Sequence, residues 1–380
     1  MHIGLNAHLL SFAATYRGAG ISRYIRNLIT HMLLAGRDHQ FTVFLGDGNV
    51  PVDWRASASL RPVVSRLPTV KPAVRIAWEQ LIQPFEVRRR GVDVLHSMGY
   101  VKPLASRCPS VVTVYDLSFL KYPETFNRPN RFYLSLLTRY SARNANRIIA
   151  ISLSTKKDLI DLLGVPADRI EVVCPGVEDC FRPIGDAAVL DDFRRRRQVP
   201  DRFILFFGTL EPRKGADKLV EAYATLKKET GLPHRLVLGG AKGWLYESIF
   251  ARVRALGLER EVIFTGYVPQ EEQPLWYNCA DLFVYPSMYE GFGFPPLEAM
   301  ACGTPVITSN VSSLPEVVGD AAVLVEPGKA TPLFEAMVRV LLDERCRERM
   351  AERGLIRARA FSWPEAARIT LDLYQAVGNG

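Results

Sequence analysis

Short runs of apolar residues, separated by longer segments with helical periodicity, recur along the whole chain. Such runs are typical of strands buried on both faces of a parallel sheet, and the longer segments are typical of the helices that cover it. The runs that predict strands are 1–6, 41–45, 92–96, 110–114, 147–151, 171–173, 203–207, 236–239, 262–266, 281–285, 306–308 and 322–325. The pattern therefore predicts an α/β protein with doubly wound sheets.

The predicted strands form two series of similar length. At 380 residues the chain is long enough for two domains, each with its own hydrophobic core. A polar run from Asp191 to Asp201 predicts a linker with a short helix, and the strand at Phe203–Phe207 opens the second series. We therefore expect domains at 1–180 and 181–363, and a terminal helix at 364–380.

The composition is typical of a soluble globular protein, with 48% hydrophobic residues and a mean hydropathy of +0.02. No apolar run approaches the roughly 20 residues that a membrane-spanning helix needs. Residues 1–6 fit a strand better than a charged-then-apolar signal segment. Six scattered cysteines without a Cys-x-x-Cys pair favour reduced core thiols over disulfides or a zinc site. We therefore expect a cytoplasmic protein.

Basic residues are concentrated in the first half of the chain. Residues 1–185 carry 24 Lys and Arg against 14 Asp and Glu, whereas the remaining residues carry 24 against 26. This asymmetry indicates that the first half meets an anionic partner, such as a membrane surface, a lipid diphosphate or nucleic acid. A solvated basic surface fits the same numbers equally well.

The segment 61–90 contributes seven of these basic residues, and Trp78 and Phe85 lie among them. Arginines interleaved with aromatic residues fit an interfacial membrane patch. The same pattern fits a helix whose apolar side is core and whose arginines are solvated. We favour core packing for the apolar residues and keep the membrane interpretation for the arginines.

The most informative loop follows the predicted strand that ends at Tyr285. It runs through Glu290-Gly291-Phe292-Gly293 into a helix that begins near Pro295-Pro296, where a missing N–H is tolerated. Such a loop brings free backbone N–H groups to the carboxyl end of a sheet, where α/β proteins bind anions. Glu290 and Glu298 bracket the loop and are suited to accept hydrogen bonds from hydroxyl groups. The alternative is a strand-loop-helix unit with solvated glutamates.

A second charged loop, from Gly208 to Gly215, follows the strand at 203–207 and contains Arg213 and Lys214. One planar guanidinium and one compact ammonium offer two complementary ways to hold a diphosphate. The alternative is a solvated charge pair. We consider it weaker, because the loop with Glu290 and Glu298 occurs later in the same series of strands.

Two loops of the first half also follow predicted strands. Gly18 and Gly20 precede a helical pattern and fit an anion cradle or a plain turn. No third glycine completes the spacing, which disfavours a dinucleotide fingerprint. Tyr115 and Asp116 come just beyond the strand at 110–114, where catalytic groups tend to lie. Asp116 is therefore either an acceptor-side carboxylate or a cap of the following turn.

These motifs together resemble the donor site of family 4 glycosyltransferases. The most specific likeness is the pattern of Glu290, a Gly-Phe-Gly turn and Glu298 eight positions later, together with Arg213-Lys214. The resemblance covers nearly the whole chain. It implies a GT-B architecture, in which two Rossmann-like doubly wound domains face each other across a cleft and the C-terminal helix crosses back to the first domain.

The first half resembles the family more loosely. Ser22 stands where the family often has a second glycine, and Tyr115 stands where it has a histidine. A tyrosine hydroxyl bonds a sugar hydroxyl, but it does not take up a proton at neutral pH as imidazole does. The resemblance makes 1–180 the acceptor-binding domain and 181–363 the nucleotide-sugar-binding domain.

The resemblance also implies roles for single residues. In the family, the first glutamate contacts the donor sugar, the second contacts the ribose, and the segment matching 266–269 lies against the nucleobase. The residues expected to act in catalysis are Glu290, Arg213, Lys214 and Asp116. The residues expected to bind substrate are Gly18, Gly20, Tyr115, Gly208, Tyr267, Val268, Gly291, Phe292, Gly293, Leu297 and Glu298.

The implied reaction is transfer of a hexose, with retention, from a nucleoside diphosphate sugar to a glycan or lipid-linked acceptor. The segments 115–119 and 209–214 are similar to bacterial mannosyltransferases of surface-polysaccharide assembly, which favours GDP-mannose over UDP-linked hexoses. No Asp-x-Asp motif occurs, so we expect no metal and no cofactor besides the sugar nucleotide as co-substrate. We expect peripheral contact of the basic domain with the inner membrane and no nucleic-acid partner.

Three other functions fit parts of the pattern. A GT-B sugar-nucleotide epimerase would use the same donor pocket without an acceptor. A nicotinamide-dependent dehydrogenase would need a glycine fingerprint and a ribose-binding acid that the sequence lacks. A non-catalytic basic module for lipid or nucleic acid would explain the charge of residues 1–185 but would leave Glu290 and Glu298 without a role.

Overall fold

The computed structural model describes residues 1–11, 20–46, 48–126 and 128–379. The chain forms two compact units. Unit 1 consists of Met1–Gly176 together with Ser362–Gly380, and unit 2 consists of Val177–Phe361. Each unit is built around one parallel sheet, as the strand pattern predicts.

Unit 1 contains a seven-stranded parallel sheet in the described residues. Its strands are β1 His2–Asn6, β2 Gln40–Leu45, β3 Leu60–Val64, β4 Val94–Ser97, β5 Ser110–Val114, β6 Arg147–Ala150 and β7 Ile170–Val172. Their order across the sheet is β3-β2-β1-β4-β5-β6-β7. The chain thus winds outward from β1 in one direction and then, from β4, in the other. This reversal between β1 and β4 is the topological switch point of a doubly wound sheet.

Helices cover both faces of this sheet. Those before the unit boundary are α1 Ile21–Ala35, α2 Val52–Ala56, α3 Pro72–Ala77, α4 Gln83–Arg89, α5 Ser118–Lys121, α6 Arg128–Asn144 and α7 Leu153–Leu163. A π-helical turn, Trp78–Ile82, joins α3 directly to α4. Such turns are rare and are often found at functional sites.

The helix α16, Trp363–Gly378, follows unit 2 in the sequence but belongs to unit 1. It packs against α1 and buries Trp363 and Tyr374. The Tyr374 hydroxyl lies 2.5 Å from Nδ1 of the buried His96 on β4. A Cβ atom on Gly176 would lie 2.2 Å from the backbone nitrogen of Trp363, so only glycine fits there. The predicted return of the C-terminal helix to the first domain is confirmed.

Unit 2 contains a six-stranded parallel sheet. Its strands are β8 Phe203–Phe207, β9 Arg235–Gly239, β10 Val262–Gly266, β11 Leu282–Tyr285, β12 Val306–Ser309 and β13 Val323–Val325. Their order is β10-β9-β8-β11-β12-β13, so the switch point lies between β8 and β11. All five side chains of β8 are buried, as expected for a central strand with helices on both faces.

The helices of unit 2 follow the same alternation with strands. They are α8 Ala187–Arg197, α9 Ala216–Thr230, α10 Glu247–Ala255, α11 Gln273–Cys279, α12 Phe294–Ala301, α13 Leu314–Val318, α14 Ala330–Leu342 and α15 Glu344–Ala358. Among the described residues no helix of either unit is both long and apolar enough to cross a membrane.

Two local features differ from what the sequence pattern suggested. The run predicted as a linker with a short helix is mostly α8, whose Arg194 guanidinium donates to the backbone carbonyls of Pro200 and Cys279. The strand β3 was not predicted, because Pro62 and exposed side chains give it no apolar run. A proline and exposed side chains are both tolerated in an edge strand such as β3, because the backbone on its outer side has no partner strand.

Candidate functional site

Two loops meet at the switch point of unit 2. One follows β8 and contains a short 3₁₀ turn, Pro212–Lys214; the other follows β11 and leads into α12. A Cβ atom on Gly215, which has φ 71°, would lie 2.2 Å from the Pro286 carbonyl oxygen. The Met288 amide donates to the Arg213 carbonyl at 2.8 Å. Backbone contact therefore fixes one loop against the other.

Lys214 and Glu290 form a buried ion pair between these loops. Lys214 Nζ lies 2.6 Å from Glu290 Oε1, and each side chain is 13% exposed. Lys214 Nζ also donates to the Tyr285 hydroxyl at 2.9 Å. Burial lowers the pKa of the Lys214 ammonium, and the Glu290 carboxylate opposes that shift. The ammonium is therefore held at the carboxyl end of β8 by two oxygen partners.

Three side chains donate to the same oxygen of Glu290. Besides Lys214, the Tyr285 hydroxyl donates to Oε1 at 2.8 Å and the Ser287 hydroxyl at 2.6 Å. Burial would raise the pKa of the Glu290 carboxyl, but Lys214, Arg213 and the Ser287 hydrogen bond lower it to about 2. Glu290 is thus an ionised hydrogen-bond acceptor at neutral pH and is not suited to donate a proton.

Arg213 lies beside the ion pair. Its Nη1 donates to the Tyr289 carbonyl at 2.5 Å, and its Nη2 bonds Glu211 Oε1 at 2.7 Å. The Glu290 Oε2 atom is 4.0 Å from Nη1. The structure therefore brings Arg213, Lys214 and Glu290 together, as the sequence predicts for a diphosphate beside a hydroxyl-binding acid.

The loop after Glu290 is held by two serines on the β12–α13 connection. The Glu290 amide donates to Ser312 Oγ at 2.9 Å, so this N–H is not free as the loop pattern suggested. The Ser313 hydroxyl lies 3.0 Å from the Glu290 carbonyl and 2.5 Å from the Phe292 carbonyl. Gly293, with φ 124°, turns the backbone into α12. The acid and the helix start are therefore rigidly placed.

The other predicted donor-site residues lie around this centre. Glu298 on α12 is buried, 2% exposed, and accepts a hydrogen bond from the Tyr277 hydroxyl at 3.0 Å. Leu297 is fully buried. Gly208 directly follows β8. Leu297 and Glu298 thus belong to the buried side of α12.

Tyr267 and Val268 follow the edge strand β10. They line a cavity of about 240 Å³, together with Arg197, Glu272 and Trp276. Tyr267 is 41% exposed, whereas Val268 is buried. The structure thus places the two predicted base-binding residues at a cavity that runs along the edge strand, because Ile263, Phe264 and Thr265 of β10 also line it.

The remaining predicted residues belong to unit 1. Gly18 lies outside the described residues. Gly20, with φ 41°, immediately precedes α1. Ser22, which replaces a family glycine, both donates to the Ser11 carbonyl and accepts from the Ser11 amide at 3.0 Å. Ser22 therefore ties the start of α1 to the segment after β1.

Tyr115 and Asp116 both have partners inside unit 1. The buried Tyr115 hydroxyl donates to the Met98 carbonyl at 2.6 Å, and burial raises the pKa of its phenol well above the ordinary value. Asp116 Oδ1 accepts from the Ser118 amide at 2.9 Å and from its hydroxyl at 2.7 Å. Asp116 thus bonds the first residue of α5, in agreement with the local role that the sequence left open, and its predicted catalytic role remains a prediction.

Sequence reasoning missed the hydroxyl groups that organise the acid, namely Tyr285, Ser287, Ser312 and Ser313. The signal for the first two was present, since both lie in the strand and turn directly before Glu290. The two later serines are brought to Glu290 only by the pairing of β11 with β12. In the described part of the chain no group of three or more His, Cys, Asp or Glu side chains is arranged to hold a metal ion.

Comparison with known families gives two matches that follow each other along the chain. Residues 18–179 match the family model described as Glycosyltransferase Family 4. Residues 190–357 match the model described as Glycosyl transferases group 1.

Individual proteins show similarity over the full length. The O-antigen chain mannosyltransferase B of Escherichia coli is 31% identical over 372 residues, which cover 95% of this chain and 97% of that protein. Among solved structures, sucrose-phosphate synthase from Thermosynechococcus elongatus superposes with a TM-score of 0.79 at 23% identity, covering 99% of this chain and 98% of that one. HepE from Anabaena, in complex with UDP-glucose, superposes with a TM-score of 0.75 at 20% identity, covering 99% of this chain and 100% of that one.

Proposed function

The chain belongs to the group 1 glycosyltransferases of family 4, and from that premise we propose that it transfers a hexose from a nucleoside diphosphate sugar to a hydroxyl group of a glycan or lipid-linked acceptor. The observation that carries the proposal is the buried Lys214–Glu290 pair with Arg213 beside it. A site that combines two cations with an ionised acid matches a substrate that combines a diphosphate with a hydroxylated ring.

Each charged group has a part in the proposed transfer. Lys214 and Arg213 stabilise the negative charge that develops on the departing diphosphate. Glu290 accepts a hydrogen bond from a hydroxyl of the donor sugar and so orients the ring. Glu298 binds the ribose. These roles need no proton transfer by Glu290, in agreement with its low pKa.

We propose that transfer proceeds with retention and without a metal ion. The bond between the anomeric carbon and the phosphate oxygen breaks, and its electron pair leaves with the diphosphate. The acceptor oxygen attacks the same face of the anomeric carbon, and its proton passes to the departing phosphate oxygen. Arg213 and Lys214 supply the positive charge that a metal ion supplies in other transferases.

The proposed donor is GDP-mannose, and the proposed pathway is synthesis of a surface polysaccharide at the cytoplasmic face of the inner membrane. The name of the Escherichia coli relative, an O-antigen chain mannosyltransferase, supports mannose as the sugar. The principal alternative is a UDP-linked hexose, because the similarly folded HepE was solved with UDP-glucose.

A nucleotide panel tests the donor. We expect GDP and GDP-mannose to raise the unfolding temperature, and UDP, ADP, dTDP and their common sugars to leave it unchanged. A ligand present at about a hundred times its dissociation constant adds roughly 2.7 kcal/mol to the free energy of unfolding. The shift should persist in a chelator such as EDTA if binding needs no metal. A shift with UDP and UDP-hexoses alone would replace the proposed donor, and no shift with any nucleotide would contradict the proposed function.

Helix α6 gives the membrane proposal a definite surface. Phe132 and Leu136 are 71% and 55% exposed, and Tyr140 continues the same stripe one turn further on. Four arginines of the same helix flank the stripe: Arg128, Arg131, Arg139 and Arg143. An exposed apolar stripe beside basic residues is typical of a helix lying in an anionic membrane interface. We propose that α6 carries this contact.

The segment 61–90 offers less positive charge for a membrane contact than its composition suggested. Trp78 is buried in unit 1, as predicted for its apolar residues. Phe85 and Leu81 are instead exposed, one turn apart. Arg89 and Arg90 both bond Glu86, so part of their charge is neutralised within the helix.

Vesicle binding tests the membrane surface. We expect the full chain to sediment with phosphatidylglycerol vesicles and not with phosphatidylcholine vesicles, and binding to weaken as salt is added. Replacing Phe132 and Leu136 by serine should lower the affinity at least about tenfold, because burial of each apolar side chain is worth roughly 1.5–3 kcal/mol. The control replaces Leu342 and Ile356, two similarly exposed residues of unit 2, by serine. Equal effects of both pairs would contradict a surface on α6.

A further inference from the structure

The connection between β12 and α13 holds the backbone of Glu290 on both sides of its Cα atom. The Ser312 hydroxyl accepts a hydrogen bond from the Glu290 amide at 2.9 Å. The next residue, Ser313, is fully buried, and its hydroxyl donates to the Glu290 carbonyl at 3.0 Å. The two peptide groups that flank the side chain of Glu290 are therefore both bound by adjacent serines of a different strand connection.

The same connection is anchored elsewhere in unit 2. The Asn310 amide donates to the Val325 carbonyl of the neighbouring strand β13 at 2.8 Å. Leu314, the first residue of α13, is fully buried and packs against Gly293, where an added Cβ atom would lie 3.0 Å from Leu314 Cδ2. The two serines thus belong to a segment that is fixed to the sheet before them and to the loop after β11 behind them.

Ser312 has a backbone conformation that is unfavourable for serine. Its φ of 48° lies in the left-handed region, where a Cβ atom is crowded and glycine is not. Residues with a Cβ atom are held in such conformations where the surrounding structure demands it, often at functional sites. A glycine at this position would avoid the strain, but it would leave the Glu290 amide without its hydroxyl partner. The conformation and the hydrogen bond together indicate that the Ser312 hydroxyl is needed.

The carboxylate that these contacts place has one oxygen committed and one available. Glu290 Oε1 accepts hydrogen bonds from three side chains, those of Lys214, Tyr285 and Ser287. Among the described residues no group donates a hydrogen bond to Glu290 Oε2, and Arg213 Nη1 lies 4.0 Å from it. Oε2 is therefore the atom that can accept a hydrogen bond from a substrate hydroxyl, and the backbone of Glu290 determines where this atom lies.

We propose that Ser312 is a positioning residue for the donor sugar, which holds Glu290 Oε2 at the place where it meets a sugar hydroxyl. The inference rests on the proposed function, because Glu290 is the acid that orients the ring there. Ser312 acts through the backbone of Glu290 and not by contact with the substrate. A group misplaced by about 1 Å can cost up to about a hundredfold in rate, so a single backbone hydrogen bond is enough to matter.

Calorimetry tests this role by comparing a sugar nucleotide with the bare nucleoside diphosphate. The probes are GDP-mannose and GDP, or UDP-glucose and UDP if the nucleotide panel shows that UDP binds. We expect Ser312→Ala and Ser312→Gly each to weaken binding of the sugar nucleotide about tenfold and to leave binding of the nucleoside diphosphate unchanged. Both variants lack the hydroxyl, but glycine removes the strain at φ 48°, so Ser312→Gly should unfold at a higher temperature than Ser312→Ala.

Ser312→Thr is the variant that restores the contact. Threonine keeps the hydroxyl, while its β-branch is disfavoured at positive φ. We expect Ser312→Thr to bind the sugar nucleotide as tightly as the unaltered protein and to unfold at a lower temperature than Ser312→Gly. Affinity for the sugar nucleotide and stability would then change in opposite directions between these two variants. A residue that only stabilises the fold would make affinity follow stability.

Ser141→Ala is the matched control. The buried Ser141 hydroxyl accepts from the Lys102 amide at 2.9 Å in unit 1, so its loss should lower the unfolding temperature without changing the affinity for either ligand. The inference is overturned if folded Ser312→Ala and Ser312→Gly bind the sugar nucleotide as tightly as the unaltered protein. It is also overturned if they lose affinity for the nucleoside diphosphate equally, or if affinity follows the unfolding temperature across the Ser312 variants. Binding of no nucleotide by the unaltered protein would instead contradict the proposed function.

Discussion

Replacing Lys214 by methionine is expected to lower the rate of sugar transfer by about two to three orders of magnitude. Lys214 carries the compact positive charge at the carboxyl end of β8, and methionine keeps its length and apolar stem without that charge. The loss should appear mainly in kcat, because the diphosphate gains most of its negative charge as the glycosidic bond breaks. Steady-state kinetics with the donor identified by the nucleotide panel would measure it.

Stability must be followed in the same experiment. Lys214→Met leaves Glu290 buried without its ion-pair partner, and breaking such a pair costs roughly 3–5 kcal/mol. The control is Lys218→Met in the first turn of α9, four residues further along the chain, where the ammonium bonds Glu221 at a partly exposed position. If the folded Lys214→Met protein transfers sugar as fast as the Lys218→Met protein, the diphosphate lies elsewhere.

Replacing Glu290 by glutamine is the second large effect that we expect. Transfer should fall by roughly two orders of magnitude, because a neutral amide is a weaker acceptor for the donor-sugar hydroxyl than a carboxylate. Binding of the bare nucleoside diphosphate should stay the same or tighten, since Glu290 then no longer competes for Lys214. Kinetics with the sugar nucleotide measure the rate of transfer, and calorimetry with the nucleoside diphosphate measures the affinity for the diphosphate. Equal losses in both would move Glu290 out of the sugar subsite.

The Glu290→Gln variant should also differ in the pH dependence of its free energy of unfolding. The pKa of Glu290 is about 2 in the folded protein, below the ordinary 4.5, so the ionised group stabilises the fold above about pH 4.5. That contribution, about 3 kcal/mol, is lost as the pH falls from about 4.5 to 2. Glu290→Gln lacks it, so its unfolding free energy should depend less on pH in this window. An unchanged acid profile would mean that Glu290 is not paired in solution.

The fold follows from the sequence where strands are buried on both faces. In β8 a run of only five apolar residues, ended by Gly208, favours a central parallel strand over a buried helix. In β3 the mostly exposed side chains and the presence of Pro62 hide the strand. Its existence depends on pairing with β2 and therefore on a contact remote in sequence.

The charged centre of the site was predictable for a related reason. Arg213 and Lys214 lie in the loop after β8, and Glu290 lies in the loop after β11, so adjacency of the two parallel strands brings them together. The environment of the centre was not predictable. That the Tyr285 hydroxyl joins Lys214 to Glu290 depends on side-chain directions at the end of β11. Asp116 is the opposite case. Its position after β5 suits catalysis, but its carboxylate bonds Ser118 at the start of α5.

The interrupted sequence of unit 1 also sets the order in which the protein is completed during synthesis. Residues 362–380 leave the ribosome after all of unit 2, yet α16 buries Trp363 and Tyr374 against the first part of the chain. The ends of unit 2 are already joined by the hydrogen bond from the Val177 amide to the Phe361 carbonyl. Unit 2 can therefore finish folding first, whereas the half that is translated first waits with an uncovered α1. Until residues 362–380 have been added, the side of α1 that packs against α16 stays uncovered.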